Sequence, residues 1–174
     1  MDILFVGHSL IEFFDWHKRF PAHRVANLGV AGETVKGLLS RTENIIKTHP
    51  SAHLIFIMSG LNDIAMEDFD FLDSYRKMLE RLSSAYPDAR IFVNSMLPTD
   101  TDFISNDTIQ DVNNSLKELA ISTGAEFLDI YKFFIDKNGR PVRGYLLDDG
   151  VHLSDKGYEL WSDELEKIII EIRP

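Results

Sequence analysis

Ser9, His152 and Asp149 are the residues whose types and spacing can do chemistry together. A serine hydroxyl becomes a nucleophile when a base takes its proton, and the base needs a third group to orient it. His152 and Asp149 lie in one stretch, Leu147-Asp148-Asp149-Gly150-Val151-His152-Leu153-Ser154. A turn through Gly150 lets the Asp149 carboxylate accept from one ring nitrogen of His152 while the other faces Ser9. Asp148 is a rival orienter, but it needs a longer return path than the i to i+3 spacing of Asp149. Each part has an ordinary reading in isolation. Serine is a preferred helix N-cap, and Asp-x-x-His is more often a surface turn than a catalytic pair.

The same chemistry needs donors for the oxyanion that forms on an attacked carbonyl. Gly32, just before a helix capped by Thr34, offers a backbone amide that a carbonyl can approach. Asn62 carries a side-chain NH2, and the Ser9 amide is a third donor; alone, Gly32 and Asn62 read as turn formers. His17, His23, His49 and His53 read as structural or surface residues. Pro50 rules out a continuous helix through His49 and His53, so no metal site is expected.

Positioning these groups requires strands that end where they begin. Ile3-Leu4-Phe5-Val6 is a short run suited to a strand buried on both faces, and Gly7 stops it. Residues 10–20 follow with helix-like spacing at Leu10, Phe13, Phe14 and His17, which puts Ser9 at a strand-to-helix junction. Further strands are expected at 24–28, 54–58, 91–93 and 126–130. The helices between them start at Thr34, at about Asp70 and ahead of Ile109, and a last one starts at Ser154 with Tyr158, Trp161 and Leu165 inward. Residues 59–63 read as a turn-rich loop, 131–148 as irregular, and 137–140 as a hairpin tip. Alternating strands and helices imply a parallel sheet covered on both faces, with ligands bound off the carboxyl ends of the strands. Ser9, the 29–32 turn and the 60–63 turn all fall on that edge.

The chain has 174 residues, is 44% hydrophobic, and shows no linker or repeat, so one domain over 1–174 is expected. A formal charge of -10 argues against nucleic-acid partners. With no cysteine there is no disulfide, thiolate metal site or cysteine nucleophile. Without a signal-like start or an apolar run of spanning length, the expectation is a cytoplasmic protein with no stable membrane insertion. Homo-oligomers stay open.

Gly7-His8-Ser9-Leu10, the 27–34 segment with Gly32, Gly60-Leu61-Asn62-Asp63, and Asp149-Gly150-Val151-His152 stand in chain order. In that order they resemble the blocks of the SGNH (GDSL-type) esterases and lipases. The resemblance implies a three-layer α/β/α fold on a flavodoxin-like sheet of five parallel strands. It implies Ser9 as nucleophile, His152 as base with Asp149 as partner, and an oxyanion hole from Ser9, Gly32 and Asn62, working through an acyl-enzyme with no cofactor. His8 departs from the aspartate usual in the family, and a supporting hydrogen-bonding role is expected for it.

The larger α/β-hydrolase fold is disfavoured because Gly7-His8-Ser9-Leu10-Ile11 lacks the second glycine of Gly-x-Ser-x-Gly. Phospho-acceptor and flavin modules lack the clustered aspartates or phosphate loop they need after the first strand. The substrate expected is a small-molecule or carbohydrate ester with a short acyl group, acetyl first, in a shallow slot lined by Leu10, Leu61, Met96, Leu97 and Val151. Lysophospholipase or thioesterase activity, or a non-catalytic binding module, is the alternative.

Overall fold

Apolar runs without alternation make strands that are covered on both faces, and β1 (Asp2–Gly7) and β3 (Leu54–Met58) are buried along their whole length. A computed structural model describes residues 1–172 and places these strands side by side and parallel. β2 (Arg24–Gly29) pairs with the other side of β1, and β4 (Arg90–Asn94) and β5 (Glu126–Leu128) continue beyond β3. The order β2-β1-β3-β4-β5 is the flavodoxin-like one, with its switch point between β1 and β3. Chain leaving these two strands diverges, and Ser9 and Asn62 sit just past their ends.

Alternation sorts the side chains to two cores. Leu4, Val6, Ile55 and Ile57 pack with α3 (Val35–Thr48), α5 (Leu72–Ala85) and α6 (Asn106–Ser122). Ile3, Phe5, Phe56 and Met58 face α1 (Ser9–Glu12), α2 (Trp16–Arg19) and α7 (Asp155–Glu171). On that face the ring of Phe5 stacks on Trp16 at 4.0 Å, and Trp161 meets Trp16 edge-on at 5.1 Å. Thr34 and Ser154 cap α3 and α7 by accepting from Gly37 N and Gly157 N, as their positions ahead of apolar-periodic segments predict. Among the described residues, no helix is long and apolar enough to cross a membrane.

Three local expectations change. The helix expected across residues 10–20 is two short helices, because the Asp15 carboxylate accepts from Lys18 N to start α2 while the Trp16 indole donates to Ile11 O at 2.8 Å. That corner leaves Phe13 outside the core, 57% exposed. The turn-rich stretch after β3 contains a helix, α4 (Leu61–Ala65), too short to show a period. β5 ends at Leu128, since Ser95 N takes the Leu128 carbonyl and the Ser95 hydroxyl accepts from Ile130 N and Tyr131 N. The hairpin tip stands, flanked by an antiparallel bridge between Ile135 and Pro141.

Candidate active site

Ser9 is the first residue of α1, so its N–H has no partner within the helix. His8 is the N-cap: its Nδ1 accepts from Leu10 N at 3.3 Å. A tight packing step fixes this short helix against the sheet. A Cβ on Gly29 would fall 2.2 Å from Glu12 N, so α1 rests on bare backbone at the end of β2.

His152 Nε2 lies 3.0 Å from Ser9 Oγ, and His152 Nδ1 lies 2.6 Å from Asp149 Oδ2. The other Asp149 oxygen accepts from Val151 N and His152 N, both at 2.9 Å, which locks the carboxylate to the turn that carries the imidazole. Gly150 makes this possible. Its φ is +69°, and a Cβ there would lie 2.3 Å from Asp100 O. A backbone bridge between Leu146 and Leu153 closes the base of the loop. Partial burial works against ionisation of Asp149, but the hydrogen bonds from the His152 ring and the two amides outweigh it and hold the carboxyl down at about 2. Its partner nitrogen is therefore Nδ1–H, which leaves the Nε2 lone pair of a neutral His152 for the Ser9 proton.

The oxyanion candidates are tied to the same edge. Asn62 Nδ2 donates to Glu33 O at 2.9 Å, one residue past Gly32, and the second hydrogen of that amide is left to donate elsewhere. Val30 N donates to Gly7 O at 2.9 Å, and Ala31 N to Glu12 Oε2 at 2.5 Å, so the Gly32 loop is bound to both the strand and the helix that flank Ser9. Arg41 grips Glu33 through two bonds of 2.6 Å and reaches Leu28 O at 2.7 Å. Asp63 is buried and accepts from Val35 N through both oxygens, at 3.2 and 3.0 Å, and burial pushes its carboxyl up. Glu12, Arg41 and Asp63 were not read from the sequence as site-builders. Asp63 had a signal, standing next to Asn62, whereas nothing in the spacing of Glu12 or Arg41 points to the loop.

His8 is 1% exposed, and burial, followed by the nearby His152, pushes it down to about 4. It is therefore a neutral imidazole whose Nδ1 accepts and whose Nε2–H lies buried with no partner among the described residues. The expected apolar slot is corrected. Leu10, Leu61, Met96 and Leu97 are buried in the two cores, and of the five residues only Val151 is partly exposed. The strand ends and helix starts that carry the four turn them inward. Phe13, Val30 and Leu147 are among the exposed large apolar side chains.

A model of the GDSL-like lipase/acylhydrolase family matches residues 14–160. Rat platelet-activating factor acetylhydrolase IB subunit alpha1 is 22% identical over 180 residues, covering 98% of this chain and 76% of that protein. A Streptococcus pneumoniae structure, provisionally named for platelet activating factor, superposes with a TM-score of 0.85 at 26% identity, over 95% of this chain and 82% of that one. An acetyl xylan esterase from Geobacillus stearothermophilus has a TM-score of 0.71 at 21% identity, over 92% and 90%.

Proposed function

The chain belongs to the GDSL-like lipase/acylhydrolase family, and we propose that it is a serine esterase that hydrolyses short-chain acyl esters, acetyl esters foremost, through an acyl-enzyme. The single observation that carries the reading is the relay of 2.6 and 3.0 Å from Asp149 through His152 to Ser9. The parts of this relay are 143 residues apart in the chain, and a surface turn has no reason to meet an N-terminal serine at hydrogen-bond distance.

In this mechanism neutral His152 takes the Ser9 proton on Nε2 as Oγ attacks the acyl carbonyl. The oxyanion is held by the amides of Ser9 and Gly32 and by the free hydrogen of Asn62 Nδ2. Collapse breaks the acyl carbon–alcohol oxygen bond, and the proton passes from His152 to the leaving alcohol. Water, deprotonated by His152, then attacks the acyl-enzyme and releases the acid. The acetyl preference is supported by the name of the rat relative, an acetylhydrolase.

Hydrolysis of p-nitrophenyl acetate by the wild type, Ser9→Ala and His152→Ala tests the reading, with circular dichroism to establish that all three fold. The expected result is loss of activity in both variants and labelling of the wild type at Ser9 by a fluorophosphonate. Activity retained in Ser9→Ala overturns it. p-Nitrophenyl octanoate hydrolysed faster than the acetate would remove the short-acyl preference.

A further inference from the structure

We propose that the groove beside His152 is the alcohol subsite of the enzyme, and that it selects esters of uncharged apolar alcohols, alkyl or aryl, over esters of sugars. This rests on the serine-esterase reading above. Acylation ends with His152 Nε2 giving its proton to the leaving oxygen, so the first carbon of the alcohol must sit against the imidazole. A cavity of about 560 Å³ has His152 in its wall, a size in the range of small-molecule sites.

Phe13 and Leu147 flank the histidine on this side. The Phe13 ring centroid is 5.3 Å from that of His152, and Leu147 N donates to His152 O at 2.7 Å. Both are more than half exposed, at 57% and 52%, and they face the groove that His152 shares. Behind them Phe14 stacks on Tyr158 at 4.6 Å, which fixes the wall.

The two hydroxyl side chains that line the groove are already engaged. Ser154 Oγ donates to Gly144 O at 2.8 Å and accepts from Gly157 N at 3.3 Å, while the Tyr158 hydroxyl donates to Leu10 O at 3.1 Å. A sugar entering here would give up water at its hydroxyls with few partners in exchange, which costs binding. An apolar alcohol has nothing to lose, and it gains contact with Phe13 and Leu147. Asp155 and Lys156 also line the groove, with opposite charges, so it presents no net charge to attract an ionic substituent.

The test is the series of n-alkyl acetates from ethyl to hexyl, in which the acyl group is constant and the leaving ability of the alcohol changes little. kcat/KM is expected to rise about two- to fourfold per added methylene. Within Phe13→Ser and within Leu147→Ser, both exposed positions, the ratio of hexyl to ethyl acetate should fall at least threefold. A flat series in an active wild type, an unchanged ratio in both variants, or faster turnover of 6-O-acetylglucose than of hexyl acetate overturns the subsite and leaves the esterase standing. A wild type inactive on every acetate overturns the esterase reading instead. The groove is then decided by titrating 1-hexanol into Ser9→Ala and following amide and methyl NMR signals. Shifts centred on Phe13, Leu147 and His152, with none from ethanol, support it; no shifts there overturn it.

Discussion

His8 and Ser9 are neighbours with opposite environments, and the contrast explains what each can do. Ser9 Oγ meets His152, whereas His8 is turned into the protein and holds the first turn of α1 through Leu10 N. Burial keeps His8 neutral down to about 4 instead of the ordinary 6.5. Between those values the unfolded chain takes up a proton at His8 that the folded chain refuses. Its contribution to stability is therefore full above about pH 6.5 and is lost as pH falls toward 4, by at most about 3 kcal/mol. Urea unfolding at pH 7 and pH 4.5 should show a smaller loss in His8→Asn than in the wild type; equal losses would mean that His8 is not the group responsible. Asn62 makes a separate prediction. Asn62→Ala removes one oxyanion donor and should lower kcat about a hundredfold to a thousandfold with little change in KM. Unaltered kcat would take Asn62 out of the mechanism.

At the scale of elements, the site is assembled from loops that leave adjacent strands, and one loop carries most of the acid–base chemistry. Gly150→Ala tests that loop. The φ of +69° is strained for alanine, and the added Cβ meets Asp100 O at 2.3 Å, so the turn must shift and take Asp149 and His152 with it. Turnover of p-nitrophenyl acetate should fall at least tenfold while the circular dichroism spectrum is kept; wild-type turnover would show that the turn tolerates the change. Much of this was legible in the residues. Continuous apolar runs marked β1 and β3, caps at Thr34 and Ser154 marked α3 and α7, and the polar turns after the strands marked the edge where the relay forms. What was not legible depends on contacts distant in sequence. Leu10, Leu61, Met96 and Leu97 lie beside site residues in the chain, but only packing decides that they face the core. The break between α1 and α2 rests on a bond from the Trp16 indole to Ile11 O, and local periodicity carries no trace of it.

The whole molecule carries a formal charge of -10, and a field of that sign repels anionic substrates at a distance greater than any contact described above. For an ester bearing a carboxylate, such as 4-acetoxybenzoate, kcat/KM should rise severalfold as salt goes from about 10 to about 200 mM, since screening shortens the reach of the field. Phenyl acetate should change little over the same range; parallel behaviour of the two would show that the net charge plays no part in encounter. The division of labour across the molecule has a further consequence. The nucleophile starts α1 just past the end of β1, but the base and its orienter travel together on a short loop closed by the Leu146–Leu153 bridge. The acid–base half is thus a cassette, separable from the scaffold that holds the rest. A lineage that lost or replaced this one segment would keep its sheet and both cores yet fall silent as an enzyme, and restoring the segment would be the shortest route back.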